Sequence, residues 1–195
     1  MNNFKNNLLL VVCLLISSIA FAQQPEISPE RKQAIDSLAM EKVRDFTRYV
    51  SLVGSKETSG SEARRIIERA QELFAEDAKI GVSSLNRKKI NYYSIPKYLR
   101  RLNALNYSSV EIEFFNIQYI SDLERQPDGK YVGVITIYQK FTGKTEDGLV
   151  YQDVTKKDIT VYVERKTTQI AGRKIGFWDV LLGDIRVAET KSGKN

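Results

Sequence analysis

Apolar and polar residues alternate with a period near two over most of the stretch from Ser109 to Val187. This spacing is typical of strands that turn one face to a core and the other to water, so it predicts a curved antiparallel sheet. After a first strand that begins near Ser109, we expect long strands at residues 131–141, 159–164 and 174–182, the last of them continuing as far as Val187.

Turn residues separate these strands. Gln126-Pro127-Asp128-Gly129 and Ala171-Gly172 predict tight turns, and residues 143–148 predict a polar hairpin loop. At Phe114-Phe115 the apolar phase slips by one residue. One extra residue in a strand produces such a slip, so we expect a β-bulge there that bends the sheet.

Helical spacing precedes the sheet. Ser28, Pro29 and Glu30 are typical of a helix start, and apolar residues then recur every three or four positions up to a cap at Gly54. A second amphipathic helix is expected from Ser61, closed by Gly81. The segment Val82–Tyr93 predicts a short strand or loop, and a third, short helix is expected from about Ser94 with apolar residues facing inward, namely Tyr98, Leu99, Leu102 and Leu105.

The first residues are typical of a secretory signal peptide. Lys5 lies in a short polar lead, an apolar run follows, and Ala20-Phe21-Ala22 fits the small-x-small cleavage rule, so we predict cleavage after Ala22 and a periplasmic or secreted protein. The alternative is a lipoprotein signal at Cys13, but Val12 stands where a small residue is expected. The predicted organisation is a signal peptide, a short extended lead, one α+β domain without a later membrane-spanning segment, and a polar tail, at residues 1–22, 23–28, 29–188 and 189–195.

Composition excludes several chemistries. The chain has no histidine, and its single cysteine, Cys13, lies in the predicted signal peptide. Histidine-dependent triads, histidine zinc sites, cysteine nucleophiles and disulfides are therefore excluded from the mature chain. We expect no cofactor and no metal site, and an enzyme on this chain must work with carboxylates, tyrosines, lysines or serines.

Two short phrases carry a family resemblance. The run from Leu73 to Ile80 and the sequence Trp178-Asp179-Val180 resemble phrases of the NTF2-like superfamily, which includes ketosteroid isomerase-like and SnoaL-like proteins. The resemblance implies a cone of helices on a bent sheet, a pocket on the concave face and often a dimer through the outer face. Within that fold, Asp179 is a candidate catalytic carboxylate acting with a tyrosine, and the other interpretation is an ion-paired strand residue. Trp178 is expected in the core.

A basic stretch lies between Asp77 and Glu111, where no acidic residue occurs and tyrosines are interleaved. Such a field attracts anionic partners, and we expect an envelope protein or an anionic surface rather than nucleic acid, because the signal peptide argues against the latter. The alternative is a solvated helix face, and the net charge of +6 does not decide between them. The candidate binding residues are Arg87, Lys88, Lys89, Lys97, Arg100 and Arg101.

Two functions from different classes fit these observations. The first, which is our prediction and to which the second is the alternative, is a noncatalytic exported module that binds a protein partner or ligand at the cell envelope. Phe177 and Leu181 are available for a dimer or partner surface. The second is a small isomerase- or dehydratase-type enzyme that uses a carboxylate and a tyrosine in the pocket. An ionisable group deep in the pocket would favour the enzyme, and a cone filled with Phe, Leu and Ile would remove it.

Overall fold

The computed structural model describes residues 27–85, 87–119 and 121–193. The predicted signal peptide, its cleavage site and Cys13 lie outside the described residues. Within the described ranges the helices are α1 Pro29–Gly54, α2 Gly60–Gln71 and α3 Ile95–Asn103. The strands of the same ranges are β1 Lys79–Ser84, β2 Arg87–Ser94, β3 Ser109–Tyr119, β4 Glu124–Arg125, β5 Tyr131–Lys144, β6 Val150–Ile170 and β7 Arg173–Ser192.

The first and third helices begin as the sequence predicts. Ser28 caps α1, and its hydroxyl accepts a hydrogen bond of 3.4 Å from the Arg31 N–H. Pro29 lies at the first helical position, where its missing backbone N–H would have no partner within the helix. Ser94 is the N-cap position of α3. The buried stripe of α1 packs toward the sheet and consists of Ile35, Ala39, Val43, Phe46, Val50 and Val53.

The second helix differs from its prediction at both ends. Its cap is Ser59 rather than Ser61, since the Glu62 N–H donates to the Ser59 hydroxyl at 3.3 Å. It ends at Gln71 and not at Gly81, because the backbone just beyond it pairs with the last strand. The Ala75 N–H donates to the Leu182 carbonyl at 2.7 Å, so tertiary pairing overrides the helical pattern.

The strands form one curved mixed sheet in the order β2-β1-β7-β6-β5-β3, with β4 paired to β5. The predicted α+β class, with helices packed on a curved sheet, is confirmed. The prediction of a wholly antiparallel sheet is wrong at one pairing, because β1 pairs with β7 in parallel. The hairpin β1–β2 supplies that parallel edge from a segment for which the sequence predicts only a helix end and a short strand or loop.

Irregularities bend the long strands where the sequence places them, or close by. The register of β3 on β5 shifts between Phe115 and Gln118, and Asn116 has a positive φ of 49°, so the bulge lies just after the predicted slip. The turn before β5 is confirmed by the Gly129 N–H, which donates to the Gln126 carbonyl at 2.9 Å. Residues 171–172 make the predicted turn between β6 and β7.

The last strand is longer than expected. We predict a polar tail from residue 189, but β7 runs to Ser192. Residues 189–192 pair with β6 between Asp153 and Lys156. Backbone hydrogen bonds satisfy a polar segment of this kind without apolar side chains, so hydrophobic periodicity misses it.

The hydrophobic core lies between the helices and one end of the sheet. Strand β6 contributes Ile159, Val161 and Val163, each fully buried. Trp178 is partly buried and packs at the margin of this core, with its ring edge-on to Tyr131 at 5.7 Å between centroids. No helix in the described part of the chain is long and apolar enough to cross a membrane.

Candidate functional site

A cavity of about 460 Å³ lies between α3, the β1–β2 hairpin and the strands β5 and β6. Its size suits a small organic molecule. The side chains that line it are Val82, Ser83, Ser84, Lys89, Asn91, Tyr93, Tyr98, Arg101, Leu102, Leu105, Tyr107, Gln139, Phe141, Tyr151, Asp153, Thr155 and Lys157.

One face of β6 supplies the polar floor of this cavity. Tyr151, Asp153, Thr155 and Lys157 are spaced by two, so they project from the same side of the strand. The same phase continues into the buried apolar residues that begin at Ile159. The core-facing side of β6 is therefore apolar in its middle and polar at its start, and the polar half faces the cavity.

Asp153 is a buried carboxylate with partners on its own strand. Its side chain is 6% exposed. The Tyr151 hydroxyl donates to Oδ2 at 2.7 Å, and the Thr155 hydroxyl donates to Oδ1 at 3.5 Å. Burial raises the pKa of the Asp153 carboxyl, and the hydrogen bond from Tyr151 and the charge of Lys157 offset part of that rise.

Lys157 is a buried amine in the same cavity, 4% exposed. Its Nζ donates to Gln139 Oε1 at 2.9 Å and lies 5.7 Å from the centre of the Tyr98 ring. Among the ion pairs of the described residues, none joins Lys157 to a carboxylate. Burial lowers the pKa of the Lys157 amine to about 8, and the charge of Asp153 acts in the opposite direction.

Two tyrosines complete the set of ionisable groups. Burial raises the pKa of the Tyr151 hydroxyl to about 12, and it raises that of Tyr98 further above its ordinary value. Both hydroxyls are therefore protonated at neutral pH and can donate hydrogen bonds. The Leu85 N–H donates to the Tyr151 hydroxyl at 3.2 Å, which ties the β1–β2 hairpin to the cavity floor.

The structure brings part of the predicted basic set to this cavity. Lys89 and Arg101 line it. Arg101 and Lys97 lie over the Tyr93 ring, at 4.8 and 5.7 Å from its centre. Arg100 is exposed on α3 and does not line the cavity. Nothing is described of the side chains at positions 87 and 88, so the parts assigned to Arg87 and Lys88 stay predictions.

Asp179 lies elsewhere. Its Oδ2 accepts a hydrogen bond of 2.6 Å from Lys166 Nζ, and the carboxylate does not line the cavity. Of the two interpretations of Asp179, the structure therefore agrees with the ion-paired strand residue. Phe177 is 43% exposed and Leu181 is partly buried, so the surface predicted for a dimer is available on one protomer, and the dimer itself stays a prediction.

Sequence reasoning missed Asp153, Lys157 and Tyr151. The signal that could have found them is the phase of β6, since polar residues occupy positions 151–157 on the side that is apolar from Ile159 onward. Polar groups in a core-facing phase need partners or a cavity. The residues that the structure describes contain no group of three or more Asp, Glu, Cys or His side chains able to hold a metal ion.

No family model and no curated protein matches the sequence. Two solved structures are similar to this chain at low sequence identity. One is a scytalone dehydratase-like protein from Novosphingobium aromaticivorans, with 11% identity, a TM-score of 0.42, and coverage of 84% of this chain and 91% of that one. The other is a type 2 hexachlorocyclohexane dehydrochlorinase (LinA), with 12% identity, a TM-score of 0.40, and coverage of 82% and 92%.

Both identities and both TM-scores are low. At these identities, neither activity transfers to this chain, and the site must be judged from its own residues.

Proposed function

We propose that this chain is a small enzyme that moves a proton on an anionic organic substrate held in the cavity. Asp153 would serve as the acid–base group and Tyr151 as a hydrogen-bond donor. The observation that supports the proposal is the buried Asp153 carboxylate, which accepts a hydrogen bond from Tyr151 within a cavity of substrate size.

The environment of Asp153 suits proton transfer. Burial raises the pKa of its carboxyl, which makes the carboxylate a stronger base than an exposed aspartate. The neighbouring hydroxyl of Tyr151 stays protonated because its own pKa is raised to about 12. The Tyr151 hydroxyl has one proton, which it donates to Asp153 in the free chain. As Asp153 takes a proton from carbon, that hydroxyl would turn its own proton to the substrate oxygen on which negative charge develops.

The charge of the cavity wall indicates the substrate class. Two basic side chains, Lys89 and Arg101, line the same cavity as the polar face of β6. An anionic group, such as a carboxylate, would be attracted to them and would orient the rest of the molecule toward Asp153. The candidate substrates are therefore small organic acids with an acidic C–H bond.

The noncatalytic envelope module is not favoured. A binding cone of that kind could be filled with Phe, Leu and Ile, whereas this cavity has Asp153 and Lys157 on its floor. A buried ionisable group costs folding free energy, and such groups are concentrated at functional sites. The enzyme hypothesis therefore accounts for the side chains that the other hypothesis leaves unexplained.

Solvent deuterium exchange tests the proposal. The full chain is incubated in D₂O with pyruvate, acetoacetate or levulinate, and exchange of the C–H protons next to the carbonyl is followed by NMR. We expect protein-dependent exchange with at least one of these acids, lowered about a hundredfold in Asp153→Asn. Asp179→Asn is the matched control and should exchange like the unaltered chain. Exchange that is absent with all three acids, or unaffected by Asp153→Asn, would contradict the proposal.

We also propose that the protein works outside the cytoplasm. The support is the lead, apolar run and small-x-small site at residues 1–22.

A further inference from the structure

Lys157 is the one buried amine of the cavity floor among the described residues, and the proton transfer proposed above does not use it. It lies on β6 four residues beyond Asp153, with Thr155 between them on the same face. Its Nζ has a neutral partner, Gln139 Oε1 at 2.9 Å, and an aromatic ring, Tyr98, beside it. No carboxylate within the described part of the chain forms an ion pair with it.

We propose that Lys157 is a covalent site, at which its amine condenses with the carbonyl group of a small carbonyl acid to form an imine. This inference deepens the proposed function and rests on it, since it names the substrate class and adds a group that activates the C–H bond for Asp153.

The condensation is balanced without any further reagent. The Nζ lone pair forms a bond to the carbonyl carbon, and the carbonyl oxygen takes a proton from nitrogen. The C–O bond then breaks, and the oxygen leaves as water with the second amine proton while C=N forms. Protonation of the imine by solvent gives an iminium ion, which withdraws electrons from the neighbouring carbon. A carboxylate such as Asp153 can then remove a proton from that carbon and leave a neutral enamine.

The surroundings of the amine favour this chemistry. Only an unprotonated amine attacks a carbonyl, and an amine that is desolvated in a cavity loses its proton more readily than one in water. Burial brings the pKa of Lys157 to about 8, so about a tenth of the amine is unprotonated at about pH 7, and this fraction grows as the pH rises. The Tyr98 ring lies beside the amine, and the apolar side chains of Leu102 and Phe141 also line the cavity.

The remaining wall of the cavity fixes which carbonyl compounds fit. Lys89 and Arg101 are basic residues of the same cavity lining as Lys157, so they can attract the acid group of a carbonyl acid whose carbonyl reacts with the amine. The cavity volume of about 460 Å³ leaves room for a compound of a few carbon atoms beyond pyruvate. Neutral carbonyl compounds lack the group that these two cations attract.

Reductive trapping tests the inference. The full chain is mixed with pyruvate and sodium borohydride, which reduces an imine to a stable secondary amine, and the labelled peptides are identified by mass spectrometry. We expect the label at Lys157 to exceed that at Lys156 at least tenfold, because Lys156 lies on the opposite face of the same strand. Acetone in place of pyruvate should label Lys157 less. Lys157→Arg should lose the adduct, and peptide mapping of the unaltered chain keeps the test valid if this variant does not fold.

Trapping and proton exchange separate the two proposals. Asp153→Asn should still form the adduct at Lys157 while losing deuterium exchange. Label spread evenly over exposed lysines, or no label at Lys157 in a chain that catalyses exchange, would overturn the imine and leave the proposed function standing. Label at Lys157 without any exchange would support the imine and overturn the role of Asp153.

Discussion

The Tyr151 hydroxyl donates a 2.7 Å hydrogen bond to Asp153 Oδ2 from a position two residues away on the same strand. Both side chains project from one face of β6 into the cavity, and the hydrogen bond lowers the pKa that burial raises. The two members of this pair therefore lie on one strand, and a change at Tyr151 alters the protonation of Asp153.

Tyr151→Phe should move the protonation of Asp153 to higher pH. Loss of the donor raises the pKa of the Asp153 carboxyl further. The rate of deuterium exchange should therefore begin to rise at a higher pH, which a pH–rate profile measured by NMR would show. The free energy of unfolding should fall by about 1 to 2 kcal/mol in urea, the usual effect of leaving a buried acceptor without its donor. Tyr92→Phe, at a hydroxyl-bearing side chain that is 49% exposed, is the control and should change neither quantity. An unshifted profile would show that the two groups are not coupled.

The stability of the chain should rise with pH in the mildly alkaline range. The folded pKa of Lys157 is about 8, below the ordinary 10.5, so the unfolded chain binds more protons between these values and unfolding becomes harder as pH rises. Chemical denaturation from about pH 7.5 to about pH 9.5 should show a gain of up to about 1 kcal/mol per pH unit. The raised pKa values of Tyr98 and Tyr151 act with the opposite sign and only above this range.

Lys157→Met should remove this gain. Methionine keeps an unbranched side chain of similar size but has no titrating group, so the free energy of unfolding of the variant should be nearly independent of pH over the same range. Lys156→Met, next to it on the opposite face, should keep the pH dependence of the unaltered chain. A flat profile in the unaltered chain would mean that the amine is not desolvated.

Trp178→Ala should cost about 2 to 4 kcal/mol of folding free energy in chemical denaturation. The lower end lies under the usual range for a buried aromatic, because Trp178 is only partly buried although it packs against Tyr131. Phe177→Ala is the matched control, since its side chain projects from the opposite face and is 43% exposed. Its cost should stay below about 1 kcal/mol. Equal losses for the two variants would show that Trp178 has no special place at the core margin.

Arg101→Glu should weaken binding of the anionic substrate. Arg101 lines the cavity, so reversal of its charge should raise the KM for a carbonyl acid several-fold in the exchange assay. Arg100→Glu lies on the same helix outside the cavity and controls for the change in net charge. The melting temperature of both variants should stay within a few degrees of the unaltered chain, because exposed helix charges contribute little to folding. Equal effects of the two reversals would mean that only the overall field matters.

The mature protein should begin at Gln23 and carry no lipid. Ala20-Phe21-Ala22 fits the cleavage rule, while Val12 before Cys13 does not fit a lipoprotein signal. N-terminal sequencing of exported protein checks this. An Ala22→Glu variant should be processed poorly, and Cys13→Ser should be processed normally. A mature chain that starts at an acylated Cys13 would contradict the prediction.

The sequence predicts the elements whose residues repeat with a clear period. Helices α1 and α3, strand β5 and residues 159–164 of β6 follow from capping residues and alternation, and the bulge near Asn116 follows from the slip at Phe114-Phe115. Strand β6 runs from Val150 to Ile170, well beyond the predicted strand at both ends. The hairpin β1–β2 does not, because its strands join the sheet through one parallel pairing with β7 that no local pattern records. The predicted end of α2 is wrong for the same reason, because pairing of the backbone beyond the helix with Leu182 decides where the helix ends.

The candidate site was predicted only in part. The basic residues of α3 were found from charge clustering, and the structure selects Arg101 among them for the cavity. Asp179 is a catalytic candidate only through its place in a family-like phrase, and its alternative, an ion-paired strand residue, agrees with its pairing to Lys166. Asp153 and Lys157 have no motif around them, and their importance depends on burial by a helix that lies some fifty residues earlier in the chain.

The two parts of strand β6 have different roles. From Ile159 onward its inward side chains are apolar and belong to the core, whereas those from Tyr151 to Lys157 face the cavity. Substitutions in the segment 151–157 therefore leave most of the core unchanged. Some of them would replace a buried charge that does not stabilise the fold. Substitution there can therefore change the chemistry of the cavity while the helices and the sheet persist, and the segment 151–157 is the place to begin when a new activity is selected on this scaffold.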